Sequence, residues 1–299
     1  MEIDMTVNLV LGTLELGLIY GVLSLGLFIS FRILNVPDLT VDGSFVTGAA
    51  VSAVLTTYGH AFYALPMAFI FGCIAGSFTA FLHVKLKIEL LLSGILVMSA
   101  LYSLNIKILS GKPNIPLLNV TSIFNYFNGT HAAHTSKLVI LVLIAAVLLR
   151  LLGVFLTTKF GLAIRATGNN EQMARAVGVN TNLTKWTGLA LSNGFVALSG
   201  AILAQYQSFV DIGMGVGVIV TGLASVIIGE VILVYRSLWA RMAAVIVGSI
   251  TYRFIIALAL QLGMPPTDLK LMSSLIVALA LSLPVLNKTR GKVKRNNNY

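Results

Sequence analysis

Few side chains in this chain are placed for covalent chemistry. Its 299 residues include one cysteine and four histidines. Cys73 sits in an apolar run, so it has no internal disulfide partner and suggests no metal cluster. His60, His83, His131 and His134 fall in loops or at run ends, without ligand spacing. There is no Gly-x-Ser-x-Gly elbow and no pair of intramembrane aspartates of the protease kind. No Gly-x-x-x-x-Gly-Lys-Ser/Thr loop occurs: Gly111-Lys112 lacks the upstream glycine and is followed by Pro113. An enzyme is therefore the least favoured class, and the chain has no ATP cradle of its own. Energy for any work it does must come from a partner or an ion gradient.

The charges that interrupt apolar sequence are more informative. Glu15 and Arg253 break the runs 9–28 and 243–262. Both fall roughly 12–14 Å inside the same edge, at 1.5 Å per residue. An isolated charge there costs about 2.5–3.5 kcal/mol on insertion scales. Opposite signs at one depth predict an ion pair, Glu15 with Arg253. The alternative is that Arg253 faces a wet cavity alone. Asp42 and Glu230 lie near run ends, where snorkelling or contact with a partner accounts for them.

Positioning these groups falls to apolar helices. The chain is 57% hydrophobic and only 10% charged, with a mean hydropathy of +0.94. Soluble domains average about 25% charged residues. Nine apolar runs stand out: 7–31, 40–58, 62–82, 89–109, 138–156, 183–204, 213–233, 239–262 and 267–286. The fold expected is all-α, a polytopic transmembrane bundle of about nine spans forming one domain over 1–299. The loop 110–137 is apolar enough at 115–127 to hide a re-entrant or interfacial segment. The net charge of +10 reads as positive-inside bias rather than nucleic-acid binding. Arg32, Lys85, Lys87, Lys159, Arg165, Arg175, Arg236, Arg241 and the tail 288–295 all fall on one side. That side is taken as cytoplasmic, with the N-terminus outside and the C-terminus inside. The basic tail 287–299 can touch anionic lipid. Glu2 and Asp4, without Lys or Arg, argue against a cleavable signal peptide at 1–6.

Two segments share a sequence. Gly43-Ser44-Phe45-Val46-Thr47-Gly48-Ala49-Ala50 recurs as Gly217-Val218-Ile219-Val220-Thr221-Gly222-Leu223-Ala224. The offset, 217 less 43, is 174 residues, and it also pairs Val22 with Val196 and Gly26 with Gly200. Five runs separate the partners, so the halves, roughly 7–157 and 183–286, would be inverted in the membrane. Helix-hostile residues precede both copies: Pro37, Asp38 and Asp42 in one, Asp211, Gly213 and Gly215 in the other. Inverted halves with a broken second helix are a transporter signature. Asp42, Ser44, Thr47, Gly48, Gly217, Thr221 and Gly222 are thus candidates for lining a path. The alternative is close helix packing through small residues.

The polar stretch 157–182 is too polar for lipid and too short for a domain. It reads as a small helix of about two turns, with Asn169 as N-cap, Glu171 at its start, Arg175 later and Gly178 ending it. Met173, Ala174 and Val177 would form an apolar docking face. An ordinary amphipathic loop on the bilayer is the alternative.

Gly161, Arg165, Ala166, Gly168, Asn170, Ala174, Ala176, Gly178, Val179 and Asn180 fit a known pattern. The stretch resembles the coupling loop of permease subunits in bacterial ABC importers of the branched-chain amino acid and ribose type. Residues 31–45 resemble a subgroup often found beside binding proteins for amino acids, including aromatic ones. The larger family usually has Asn-Phe-Ala-x-Gly where this chain has Pro37-Asp38-Leu39-Thr40-Val41-Asp42-Gly43. The resemblance implies a multi-pass permease of the bacterial cytoplasmic membrane. It implies a second copy of the chain, an extracytoplasmic solute-binding lipoprotein, and two P-loop ATPase subunits that hold ATP and Mg. It gives Gly161, Arg165, Ala166, Gly168, Asn170, Glu171, Met173, Ala174 and Gly178 the coupling role. An ion-coupled secondary transporter using Glu15 and Arg253, or a membrane scaffold, are the competing readings.

Overall fold

The computed structural model describes residues 2–118, 120–125, 133–232, 237–265, 268–269 and 271–278. The tail 287–299, Arg236, and residues 126–132 of the 110–137 loop lie outside them.

Helices carry the fold. α1 (Glu2–Leu27) runs on into a widened π-type turn, Phe28–Ile33. α2 (Val41–Thr57), α3 (Ala61–Val84) and α4 (Leu90–Ile108) follow. A short strand β1 (Asn114–Pro116) leads to α5 (Ala133–Thr157). The polar stretch forms α6 (Lys159–Asn169) and α7 (Glu171–Ala176). Then come α8 (Thr181–Gln207), strand β2 (Phe209–Asp211), a 3-10 turn (Ile212–Gly215), α9 (Val218–Ile232) and α10 (Leu238–Gln261). Seven of these helical segments are long and apolar enough to cross a membrane, and α2 is a shorter apolar one. Residues 271–278, inside the ninth apolar run, are also helical. The 110–137 loop holds no membrane-deep helix among the described residues. Instead β1 pairs antiparallel with β2, Ile115 opposite Val210.

α1 and α8 are the central pair, and most of their residues are buried. Between them, backbone carbonyls accept side-chain hydroxyls where no water is available. Ser192 Oγ donates to Gly26 O at 2.8 Å, and Ser199 Oγ to Ile19 O at 2.8 Å. α3, α5 and α4 present apolar side chains outward, among them Phe78, Leu143 and Leu96. In lipid that exposure is the favourable state.

Some contacts recur near the 174-residue offset. Gly72 and Gly76 on α3 lie against α8, at Asn193 and Leu189; their counterparts Ile246 and Ile250 on α10 lie against Gly21 and Gly17 of α1. Gly48 lies against Ala197, and its counterpart Gly222 against Leu23, itself the counterpart of Ala197.

Neither α2 nor α9 starts at an end of the bundle. Asn193 is at the middle of α8, and it holds both Asp38 and Ser44. Residues 34–40 therefore turn back into the bundle before α2 begins. From the opposite end, the 212–217 segment does the same for α9. Gly217 adopts φ +83°, a conformation that favours glycine, where the chain turns into α9.

Candidate functional site

The polar stretch is a seated pair of helices. Thr158 caps α6 by accepting Gly161 N–H at 3.2 Å. Asn170, not Asn169, caps α7, accepting Met173 N–H at 3.0 Å. Asn169 is instead the last residue of α6. Two adjacent asparagines make either position plausible by type; the helicity of 159–169 decides it. Gly178 ends the unit at φ +86°, as expected.

Side chains fix this pair to the bundle. Ile164 and Thr167 are buried, and Thr167 Oγ1 shares a 2.8 Å hydrogen bond with Thr184 of α8. A methyl on Gly168 would overlap Ile33 O at the end of the first span, and one on Gly161 would overlap Phe155 O. Glu171 pairs with Arg175 at 2.6 Å and with Lys185 of α8 at 2.7 Å. Partial burial pushes the Glu171 carboxyl up, but hydrogen bonds and charge from Lys185 and Arg175 outweigh it and hold it below the ordinary 4.5. Arg175 Nε also donates to Thr181 Oγ1 at 2.7 Å. Ala174 is buried, so it faces inward and leaves the docking face expected from the sequence. Leu162, Met173 and Val177 stay 51%, 67% and 75% exposed. Ala166 is exposed beside them. A cavity of about 630 Å³ beside α6 is lined by Arg32, Arg165, Ala166, Gly168 and Arg241. Glu230 joins Arg32 at 2.6 Å and Arg241 at 3.2 Å at this end.

The second candidate lies mid-bundle, where α2 and α9 begin. Asp42 Oδ2 accepts Gly217 N–H at 3.0 Å, and Oδ1 accepts Ile219 N–H at 2.9 Å. One half of the chain thus caps the broken helix of the other. Behind it, Asp38 accepts Asn193 Nδ2–H at 2.6 Å and Thr40 N–H at 2.9 Å. Ser44 donates to Asn193 Oδ1 at 2.7 Å.

Two cavities flank this junction. One, of about 410 Å³, is lined by Asp42, Gly43, Val46, Ser99, Tyr102 and Asn105. The other, of about 350 Å³, is lined by Val216, Gly217, Val220, Thr221, Arg253 and Ser273. At the 174-residue offset Asp42, Gly43, Val46 and Ser99 become Val216, Gly217, Val220 and Ser273. Val216 borders both.

The residues expected to line a path therefore divide. Asp42, Gly217 and Thr221 border the cavities. Ser44, Thr47 and Gly48 are buried in packing against α8 or within α2. Gly222 packs on Leu23 and Leu27. For these four, close packing through small residues is what the structure displays.

Glu15 and Arg253 do not form an ion pair. Glu15 is 1% exposed and accepts Tyr206 Oη–H at 2.7 Å. The Arg253 guanidinium lies 3.6 Å from the centroid of the Tyr20 ring. The depths match, since Gly17 of α1 touches Ile250 of α10. The directions do not. Glu15 and Ile19 face α8, and Gly17 and Gly21 face α10. Sequence reasoning also missed Asn193 and Gln205, which join α8 to the first half. Polar amides within an apolar run were the available signal.

The sequence family described as branched-chain amino acid transport system, permease component, matches residues 9–282. The tyrosine transport system permease protein of Clostridioides difficile is 39% identical over 95% of both chains. The branched-chain amino acid transport permease protein LivH of Methanocaldococcus jannaschii is 27% identical over 72% of this chain and 73% of its own. The fold is similar to an inward-facing structure of a metal-chelate type ABC transporter, with TM-score 0.50 and 18% identity over 93% of this chain and 85% of that one.

Proposed function

The chain belongs to the permease components of branched-chain amino acid transport systems, and from that premise we propose that it forms the membrane path of an ATP-driven importer of amino acids. As a member of this family it is an ABC transporter permease, a multi-pass membrane protein rather than the ATPase. Two copies form the path. A binding lipoprotein delivers the solute from outside, and two ATPase subunits dock on α6 and α7. The α6–α7 end faces the cytoplasm and the β1–β2 end faces outward.

The observation that carries this reading is the seating of α6–α7. Exposed apolar side chains, Leu162, Met173 and Val177, stand on a helix pair seated against the ends of α1 and α8. A push on that pair reaches the two helices that run through the bundle. Their middles hold the starts of α2 and α9, where the cavities lie. ATP and Mg belong to the partner in this scheme, and the chain supplies the lever and the path. The two halves act as inverted repeats about the Asp42–Gly217 junction, supported by the paired contacts and paired cavities at one offset.

The amino acid assignment rests on the tyrosine permease relative. Reconstitution with the partner ATPase and binding protein tests it. ATP-dependent accumulation of tyrosine in proteoliposomes is expected. Uptake by this chain alone, driven by an ion gradient, would overturn it.

A further inference from the structure

We propose that Arg253 and its cavity bind the carboxylate of the transported solute, a deepening that rests on the amino acid reading above. Arg253 sits within the apolar α10, where an unpaired guanidinium is costly and marks a functional position. Among the described residues no carboxylate lies within ion-pair distance of it. Glu15, the acid at matching depth, faces α8 and is held by Tyr206. Arg253 Nε is buried and has no hydrogen-bond partner.

The Tyr20 ring covers one face of the guanidinium. Stacking uses the π-face and leaves the N–H edge, the fork that takes a carboxylate by two parallel bonds. The cavity that Arg253 borders is about 350 Å³ and is also lined by Thr221, Tyr252 and Ser273. Tyr252 donates to Ser273 at 2.7 Å and Ser273 to Leu269 O at 2.7 Å, which leaves the Thr221 hydroxyl to donate to a remaining lone pair of the carboxylate. The cavity also reaches Val216 and Gly217, at the junction shared by the two halves. A cation with an unpartnered Nε, a hydroxyl in the same cavity and, among the described residues, no acid within reach suits an anion, and the transported amino acid brings one.

The test uses the complex with its ATPase, in nanodiscs of neutral lipid. Cys73→Ser removes the native thiol and Val220→Cys places one at the cavity wall. Labelling of that thiol by a neutral maleimide is timed with tyrosine and with tyrosinamide, which lacks the carboxylate. Tyrosine is expected to slow labelling at least threefold and tyrosinamide to leave it unchanged. Arg253→Gln should abolish the protection and Arg253→Lys should keep part of it. Equal protection by both compounds, no protection, or protection that survives Arg253→Gln would overturn the site. If Arg253→Gln does not fold, the acid–amide contrast and Arg253→Lys decide. Slowing by phosphatidylglycerol without solute, relieved by Arg253→Gln, would assign the site to a lipid phosphate and overturn the solute assignment. ATP-driven tyrosine uptake is measured in parallel. Its absence in the unmodified complex fails the transport reading, whereas uptake without protection fails this site alone.

Discussion

Asp42 and Gly217 come from opposite halves of the chain, and the Asp42 carboxylate accepts the Gly217 N–H at 3.0 Å. A second N–H, from Ile219, reaches the other oxygen at 2.9 Å. Helix starts leave such donors unsatisfied, and inside a bundle no bulk water compensates.

The first prediction follows from that cap. Asp42→Ala leaves two interior donors unpaired and should cost about 1–3 kcal/mol. Asp42→Asn keeps one acceptor and should cost less. Thermal unfolding of the purified complex should rank the native chain above Asp42→Asn, and Asp42→Ala lowest. Equal midpoints for all three would discard the cap.

Exposure and burial on α7 predict two different failures. Met173→Asp and Val177→Asp alter only the surface, so the permease should accumulate normally and lose its ATPase on purification. Ala174→Asp buries a charge and should lower the folded yield itself. Normal ATPase retention in both surface variants would reject docking on these side chains.

Acid should loosen α7 through Glu171. Its folded pKa lies below the ordinary 4.5 because Lys185 and Arg175 favour the charged form. A depressed carboxylate contributes stability above its unfolded pKa and loses it as pH falls through the folded value. The window therefore opens near pH 4.5 and extends lower. Hydrogen-exchange protection in residues 171–181, taken relative to the intrinsic rate at each pH, should fall there, and Glu171→Gln should lack that protection at every pH. Protection that does not change with pH in the native chain would remove Glu171 from the tie.

Double-mutant cycles separate the intramembrane charges. Glu15→Gln and Tyr206→Phe share a 2.7 Å hydrogen bond and should couple. Glu15→Gln and Arg253→Gln should add within about 0.5 kcal/mol. Folded fraction on heating is the readout. Strong coupling in the second cycle would restore the ion pair.

Orientation is checked by thiol access in a chain with Cys73→Ser. Lys112→Cys should react with a membrane-impermeant reagent from outside in intact cells. Val177→Cys should react only after permeabilisation. The reverse pattern would invert the topology.

The sequence showed depth well and direction poorly. Glu15 and Arg253 stand level, as counting residues predicts, because rise per residue is uniform. Which side of α1 each faces depends on the neighbours α8 and α10, and apolar runs with little amphipathicity carry no such mark. The shared spelling of the Gly43 and Gly217 segments was legible. That Ser44, Thr47 and Gly48 face packing while Asp42 faces the junction was not, since small residues serve both purposes. The capped helix after 169 was visible from its polar types. α6 before it was not, since its Gly161 and Gly168 sit in close contacts with Phe155 and Ile33 that only the packing displays.

The β1–β2 ladder joins the segment after α4 to the segment before α9. These belong to different halves, and Arg32 with Glu230 fastens the halves again at the opposite end. Fastened at both ends, the two parts resist opening like a book along the line between them. In the two-copy importer proposed above, each copy would then tilt as one leaf of a door, with the hinge line running between the copies.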